Sequence, residues 1–388
     1  MRSLPALLIA ALLAIPSLSL ADKKAPKPIG LSAKKPKSGP YVKTEHGYMV
    51  PYKMKIPGTY VPFEMVPIPG GSLVVGDSPK NRVTVEIPPF WMGKYEVTWK
   101  QYKEYMALYD VFKQFESKQV RLAKKMDQLD AITAPTELYD PSFTFEFGED
   151  PQQPAVTMTQ YSAKQYTKWL SGVTGHFYRL PSEVEWEYAC RGGAKTAYYF
   201  GDDAKKLGEH AWIAKNSGEM APVVGQKKPN PFGLYDMHGC AAEWVLDQLY
   251  ENRYERLREK GEKLTAAQAI LKPEKLYPRI CKGGSWQDEA EACRITSRLG
   301  SHDIDWKEED PNLPLSPWWY TSDPSRGVGF RVLRALDTLS PEERNEYWKV
   351  DVPEMELDVE GRLSERRGVL GVVDPKLPEA IKSLDKKD

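Results

Sequence analysis

The sequence has no excess of charge of either sign, because 54 lysines and arginines balance 54 aspartates and glutamates in 388 residues. A dedicated nucleic-acid-binding protein normally carries a basic excess, so that class is not expected. Beyond residue 21 there is no uncharged run long enough to cross a bilayer, and no unit repeats at a fixed period. The lack of a period excludes solenoids and propellers.

Cysteine and histidine are also scarce. The four cysteines are Cys190, Cys240, Cys281 and Cys293, and no two of them form a Cys-x-x-Cys pair. This spacing argues against a zinc ribbon or a thioredoxin-type motif. The five histidines are scattered without a shared spacing, so no Ser/His/Asp triad is predicted. A lipid-attached N-terminal cysteine is not expected either, since none occurs before Cys190.

Residues 1–21 have the features of a secretory signal peptide rather than of a folded segment. A basic start precedes an uncharged run over Leu4–Leu20, and Ser19 and Ala21 supply the small residues of a cleavage site. An uncleaved membrane anchor is the alternative, but Pro16 and the shortness of the run disfavour it. We therefore expect a secreted or periplasmic protein with no transmembrane segment after cleavage.

Composition divides the chain into four parts. These are the signal peptide over 1–21, a Lys/Pro-rich linker over 22–60, a folded domain over 61–336 and a charged tail over 337–388. Two stretches of the domain, near 104–150 and 251–280, are predicted insertions, the second with a charged helical pattern from Tyr254 to Leu271. The tail has no strong apolar stripe, so it either wraps the domain or is mobile.

Regular elements are predicted to be short and few. The 32 prolines and 28 glycines favour turns and long irregular connections over a helix bundle. Three helix starts carry a hydroxyl cap with a Gln or Glu three residues later, at Thr98, Ser162 and Ser182. Short strands are predicted at Val83–Ile87, Cys293–Arg298 and Val328–Leu333. This mixture predicts the α+β class.

Six groups of residues form an ordered set along the middle of the chain, covering roughly residues 63–335. In order they are Pro67–Ser72 with Met92–Thr98, Gln153–Val156 with Ala163–Leu170, Tyr178–Gly193, Val224–Trp244, Lys282–Trp286 and Val328–Arg331. Each group alone is a weak signal, but the ordered set is specific. It resembles the formylglycine-generating-enzyme family, also called sulfatase-modifying factors. The resemblance implies a C-type-lectin-like fold with little regular secondary structure and long loops.

The resemblance also implies a candidate site after Gly283-Gly284. In this family two cysteines five residues apart hold copper; here Ser285 and Cys293 match, but Asp288 takes the place of the first cysteine. Cu(I) prefers soft thiolates, so the hard carboxylate makes copper-dependent oxidation doubtful. The change resembles a bacterial branch in which the cysteine pair is incomplete. In an active protein Cys293 would be the nucleophile or metal ligand, Ser285 would orient the oxygen species and Asp288 would act as a base or hard ligand.

The family's groove binds an extended peptide, and the resemblance places the Ser285–Cys293 turn and Trp286 on its floor. Further candidate binding residues are Glu243, Trp244, Trp318 and Trp319, with packing in the core as the alternative for the tryptophans. The family's calcium positions are altered as well. Cys240 replaces an asparagine there and Trp212 falls at another, so calcium is doubtful and the metal is left unknown.

In an exported protein cysteines normally form disulfides, and the spacing of these four leaves all three pairings open. The family places a disulfide cysteine at Cys190, but the partner position is Arg298 here. From the resemblance we predict a structural disulfide between Cys240 and Cys281. The competing pairing is Cys190 with Cys293, which would remove the last sulfur of the candidate site.

Three functions are consistent with the sequence. The first is a protein-modifying enzyme of the formylglycine-generating type that acts on an exported protein or peptide, for example a sulfatase. The second is a catalytically inactive binding module of the cell envelope that keeps the groove. The third is a structural envelope protein whose insertions contact partners. In each case we expect a monomer that does not bind nucleic acid.

Overall fold

The computed structural model describes most of the chain outside the first 28 residues. It covers residues 29–123, 130–132, 145–302, 306, 323–366 and 368–384. The signal peptide predicted over 1–21 lies outside the described residues, and so do Trp318 and Trp319. Within the described part, no helix is both long enough and apolar enough to traverse a bilayer.

The strands are short and spread along the whole described chain. In order they are β1 (Leu31–Ser32), β2 (Val42–Thr44), β3 (Gly47–Met49), β4 (Tyr52–Lys55), β5 (Pro62–Ile68), β6 (Gly71–Val75), β7 (Val83–Ile87), β8 (Phe90–Gly93), β9 (Asp130–Ile132), β10 (Tyr178–Arg179), β11 (Ala242–Gln248), β12 (Lys263–Thr265), β13 (Arg279–Lys282), β14 (Leu299–Gly300), β15 (Val328–Gly329), β16 (Leu333–Ala335) and β17 (Val369–Gly371). The predicted strand over Val83–Ile87 is confirmed by β7.

The helices are likewise short, apart from one of four turns. In order they are α1 (Trp99–Met106), α2 (Leu108–Ser117), α3 (Gln160–Thr174), α4 (Glu183–Arg191), α5 (Ala214–Ser217), α6 (Arg253–Lys260), α7 (Asp323–Arg326), α8 (Pro341–Asn345), α9 (Pro353–Ser364) and α10 (Leu377–Leu384), with a 3-10 helix over Ala204–Glu209. Short elements joined by long loops match the predicted α+β class.

An antiparallel sheet in the order β10-β16-β8-β5-β4 divides the core into two layers. Successive side chains of a strand point to opposite faces. In β5, Phe63 and Met65 pack into one hydrophobic cluster, whereas Val66 and Ile68 pack into the other. The β5 strand is therefore buried on both sides, which explains its nearly continuous apolar sequence.

A second sheet, in the order β14-β13-β11-β15, carries the candidate site. Strand β11 lies antiparallel to β13 and parallel to β15. This pairing brings the Lys282–Trp286 and Val328–Arg331 segments to the two sides of Glu243. Three smaller sheets, β1-β3-β2, β12-β7-β6 and β17-β9, complete the described strands.

Two of the three predicted helix starts are confirmed. Thr98 precedes α1, where its N–H donates to the side chain of Gln101, and Ser182 caps α4. The third prediction, a start at Ser162, is wrong, because Thr159 is the cap of α3 and accepts a hydrogen bond from the Ser162 N–H. The helix therefore begins earlier than expected, and the Ser162 side chain contacts Tyr102 inside the core.

The segment predicted as a linker contains β1 to β4, and β4 is the edge strand of the five-stranded sheet. Its Met49, Tyr52 and Ile56 enter the larger hydrophobic cluster, which a solvated linker would not do. The tail wraps the domain, which resolves the alternative left open by the sequence. In it, the Trp348 indole donates to the Tyr178 carbonyl, and the chain continues through α9, β17 and α10.

Two further expectations differ from the structure. The helical pattern predicted from Tyr254 to Leu271 stops at Lys260, and β12 then pairs in parallel with β7. Its later apolar residues are buried in the second cluster, so this insertion is partly core rather than wholly surface. The predicted strand over Cys293–Arg298 is absent from the described structure, which has turns there. The predicted Val328–Leu333 strand is split between β15 and β16.

Candidate functional site

The candidate site begins where β13 ends in a glycine pair. Gly283 and Gly284 both have positive φ angles, of 95° and 70°, a conformation that favours glycine. A Cβ on Gly284 would lie 2.6 Å from the Sγ of Cys293, so a larger residue would collide with that side chain. The pair therefore turns the chain sharply and lets the Cys293 thiol pack directly against the backbone.

Asp288 closes the turn that follows. One of its carboxylate oxygens accepts hydrogen bonds from both the N–H and the hydroxyl of Ser285, each at 2.8 Å. The Ser285 hydroxyl oxygen also accepts from the N–H of Gln287 at 3.2 Å. The predicted site residues Ser285 and Asp288 thus contact each other, but this mutual bonding is the arrangement of a structural turn.

Cys293 is fully buried at the end of the turn. Its side chain packs in a small cluster with Tyr198, Leu207 and neighbouring residues rather than facing solvent. Burial raises the pKa of the thiol far above its usual range, and the nearby carboxylate of Asp288 raises it further. A thiol held in this neutral form is a weak nucleophile, which disfavours the nucleophile role predicted for Cys293, whereas its role as a metal ligand stays a prediction.

His238 supports the same region and has both ring nitrogens engaged. Its Nδ1 lies 2.7 Å from the carbonyl oxygen of Cys293, and its Nε2 lies 3.2 Å from the backbone N of Tyr199. The geometry fits a neutral ring that donates through Nδ1 and accepts at Nε2. Burial lowers the pKa of His238 to about 4, so the ring is uncharged near neutral pH. His238 therefore has a structural role in this region.

Three of the five candidate binding residues lie in the core. Trp286, Glu243 and Trp244 are all fully buried. The Trp244 indole donates to the Met158 carbonyl at 2.9 Å. The prediction that these three residues bind a ligand from solvent is therefore not supported by their positions, and core packing, the alternative for the tryptophans, describes both of them.

Glu243 forms a buried ion pair with Arg331. The guanidinium donates to both carboxylate oxygens, with nitrogen–oxygen distances of 2.5 to 2.8 Å. The Trp186 indole N–H adds a third donor at 2.7 Å. Arg331 also donates to the carbonyls of Gly93 and Tyr235, so this pair joins β8, β11 and the loop after β15. Its geometry is that of a structural clamp between distant segments.

All four cysteines are free thiols and are buried. The predicted disulfide between Cys240 and Cys281 is therefore not formed in the structure, and neither is the competing Cys190–Cys293 pair. The reason lies in where the side chains point. Cys281 packs into the larger hydrophobic cluster, whereas the sulfur of Cys240 faces the carboxyl groups of Glu96 and Asp236.

Glu96, Asp236 and Cys240 form a cluster that the sequence did not single out. One ligand atom from each lies within 4.8 Å of the other two, and all three residues are buried. Burial and the charge of Asp236 raise the pKa of Glu96 well above its usual range. Burial also raises the pKa of Asp236 to about 6. Glu96 and Asp236 lay within quoted motif segments, but only the fold reveals that they meet.

A surface cleft of about 800 Å³ lies elsewhere, between residues 40–46 and the Pro67–Gly70 turn. Five of its fifteen lining residues are prolines, and the side chains of His46 and Asp337, both in the lining, lie 3.7 Å apart. The lining of this cleft includes none of the residues of the Ser285–Cys293 turn. It is therefore separate from the site predicted by the motifs.

The sequence as a whole identifies the family. A family model described as "Sulfatase-modifying factor enzyme 1-like domain" matches residues 58–308, well over half of the chain. The chain belongs to this family. A formylglycine-generating enzyme of Bos taurus is 27% identical over 278 residues, covering 60% of this chain and 68% of that protein.

Other relatives of the sulfatase-modifying-factor domain carry different names. "Chaperone protein LppX" of Paenibacillus barcinonensis is 26% identical over 257 residues, covering 61% of this chain and 84% of that protein. "Inactive C-alpha-formylglycine-generating enzyme 2" of Mus musculus is 26% identical over 277 residues, covering 61% of this chain and 80% of that protein. Among solved structures, Treponema denticola variable protein 1 has a TM-score of 0.50 at 21% identity, covering 74% of this chain and 99% of that one, which supports the fold.

The copper of the family's reaction does not fit the residues present. Cu(I) favours a pair of soft thiolate ligands, but this turn offers a single thiol and a carboxylate engaged by Ser285. Calcium does not fit the altered family positions either. Cys240 supplies sulfur where an oxygen ligand is needed, and the Trp212 carbonyl already accepts the N–H of Cys240 at 2.8 Å.

Proposed function

We propose that this chain is an exported member of the sulfatase-modifying-factor family that binds a protein partner without oxidising it. The partner would be an exported protein or peptide, with a sulfatase as one candidate, and the binding protein would act as a monomer. The observation that carries the proposal is the burial of Cys293, whose thiol packs in the core opposite Gly284.

The chemistry of the turn supports the loss of catalysis. Oxidation of a substrate cysteine through copper would need accessible soft ligands, and the second ligand position is Asp288. This carboxylate already accepts two hydrogen bonds from Ser285. Freeing it for a metal would leave the N–H of the buried Ser285 without its present partner.

The names of two relatives point the same way. One is called a chaperone and another is called inactive, so some relatives are named for roles other than catalysis, although others are named formylglycine-generating enzymes. Export is supported by the sequence of residues 1–21, with cleavage after Ala21. The mass of the mature protein recovered from the periplasm or medium would test this cleavage directly.

The decisive experiment uses a cysteine-containing sulfatase-motif peptide and its serine counterpart. The mature protein is incubated with Cu(I) and each peptide, the products are weighed by mass spectrometry, and binding is measured by fluorescence anisotropy. We expect both peptides to bind and neither to change in mass. Conversion of the cysteine peptide, lost in Cys293→Ser but kept in Cys281→Ser, would contradict the proposal. Failure to bind either peptide would contradict its peptide-binding part.

A further inference from the structure

Three side chains from separate parts of the fold converge at one buried point. Glu96 follows β8, while Asp236 and Cys240 belong to the loop that enters β11. Their exposed fractions are 1%, 2% and 0%. Among the described residues they are the one group of histidine, cysteine and acidic side chains with ligand atoms this close together. Two carboxyl groups and a thiol at this depth can be ionised together only if a cation or hydrogen-bond donors compensate them.

Each carboxylate is anchored by one oxygen and leaves the other without a hydrogen-bond partner. Asp236 Oδ2 accepts from the Gly225 N–H at 2.6 Å, and Glu96 Oε1 accepts from the Ala241 N–H at 3.4 Å. Asp236 Oδ1 and Glu96 Oε2 have no such donor among the described residues. Because buried polar atoms are nearly always satisfied, two unpaired acceptors beside one thiol indicate a missing ligand.

The local charge points to a cation. The carboxylates of Glu96, Asp236 and Glu243 all act on the single guanidinium of Arg331. Arg331 is committed to Glu243, and its nearest nitrogen is 3.8 Å from Glu96 Oε2, too far for a hydrogen bond. With the three acids and the Cys240 thiolate all ionised, the negative charges exceed the single positive charge of Arg331 by three, and a divalent cation would offset two of them.

The backbone holds the thiol in place. Asp236 and Cys240 have φ angles of 57° and 61°, which non-glycine residues adopt rarely. The Cys240 N–H donates to the Trp212 carbonyl, and a Cβ on Gly239 would lie 2.0 Å from that same oxygen. Glycine is therefore required beside Cys240, and the bridge fixes the direction of the thiol.

We propose that Glu96, Asp236 and Cys240 bind a zinc ion in the interior of the domain. Zinc accepts a thiolate together with carboxylate oxygens in a tetrahedral shell, whereas calcium and magnesium take oxygen ligands. Three protein ligands leave a fourth position for water or a backbone oxygen. Binding would release to solvent the thiol proton and any proton held by the two carboxyl groups, and it would join the end of β8 to the start of β11. This site is independent of whether the protein binds a peptide.

The test measures metal on the full mature protein. After chelation and dialysis, the protein is titrated with Zn²⁺ against a chromophoric chelator, and metal content is measured by mass spectrometry. We expect one equivalent of zinc and a higher melting temperature. Replacement by Co²⁺ should give a near-ultraviolet sulfur-to-metal charge-transfer band. Less than stoichiometric zinc, or a cobalt complex without that band, would overturn the proposal.

Variants identify the ligands. Cys240→Ser should abolish the cobalt–sulfur band, and Cys240→Ser, Glu96→Gln and Asp236→Asn should each weaken zinc binding at least about tenfold. Cys281→Ser is the matched control, because Cys281 is equally buried but lies outside the cluster. It should keep both the band and the affinity. Loss of the band in Cys281→Ser with retention in Cys240→Ser would assign the sulfur elsewhere. Because the wild-type titration needs no variant, a misfolded variant leaves the proposal testable.

Discussion

Removal of the negative charge of Glu243 should destabilise the protein more than any exposed charge change. Glu243→Gln keeps the shape of the side chain but leaves the guanidinium of Arg331 without its ionised partner in a fully buried position. The neutral amide has one acceptor oxygen in place of the two that now serve Arg331 and Trp186. Breaking a buried ion pair in this way costs about 3–5 kcal/mol.

That cost is a large part of the roughly 5–15 kcal/mol that stabilises a typical domain. The matched control is Glu64→Gln, since Glu64 also accepts from two cations, Lys53 and Lys94, at 2.9 and 3.1 Å. The Glu64 side chain is 30% exposed, so its loss should cost about 1 kcal/mol or less.

Urea unfolding followed by tryptophan fluorescence measures both variants. The midpoint should fall much further for Glu243→Gln than for Glu64→Gln, with the denaturant slope unchanged. The double variant Glu243→Gln with Arg331→Met removes both charges, so it should be less destabilised than the sum of the two single changes. Equal costs for the two Glu→Gln variants would refute the conclusion that the buried pair clamps the site.

Other consequences can be measured separately. Although burial opposes it, Lys164 and Arg279 lower the pKa of Asp351 to about 2, below its ordinary 3.8. Burial lowers the pKa of Lys164 in the same contact, which offsets part of the gain. Asp351→Asn should therefore reduce the free energy of unfolding at pH 7. The difference in unfolding free energy between the wild type and this variant should shrink as pH falls from about 4 to about 2. A difference that stays constant over this range would argue against the linkage. The four thiols should resist labelling in the native protein, and all four should react once the protein is denatured without reductant. Fewer than four labelled thiols after denaturation would indicate disulfides. Gly284→Ala should lower the free energy of unfolding by about 1 kcal/mol because of its positive φ angle, and by a further amount because the new methyl group meets the Cys293 sulfur. Adding Cys293→Ala should restore the steric part of this loss. A double variant no more stable than Gly284→Ala would contradict the packing described at the turn.

Local signals in the sequence predicted local structure well. The caps at Thr98 and Ser182 are confirmed because a cap depends on hydrogen bonds within one turn of chain. The prediction at Ser162 failed because Thr159 offers the same hydroxyl one turn earlier, and the sequence does not rank two adjacent caps. The ordered motifs identified the family, and the Gly283-Gly284 turn lies where they placed it.

The burial of the candidate site could not be predicted, because it depends on contacts between distant segments. Glu243 meets Arg331 88 residues later, and the N–H of Ala241 bonds Glu96 across 145 residues. Motif spacing does not show that β11 is buried on both faces. The absence of disulfides among the four cysteines also depends on distant contacts. The direction of the Cys240 sulfur is set by the bridge between this segment and Trp212 rather than by its neighbours in sequence.

The wrapping tail affects the order in which the molecule can be completed. Lys164, buried in α3, finds its carboxylate partner Asp351 187 residues later, and the Gln165 side chain donates to the Trp348 carbonyl 183 residues later. Until those residues emerge during synthesis, the buried side chains of Lys164 and Gln165 lack these partners. A chain that ends before residue 351 therefore leaves this face of α3 uncovered. The C-terminal tail is needed to complete the packing against α3, which belongs to a part of the core formed by much earlier residues.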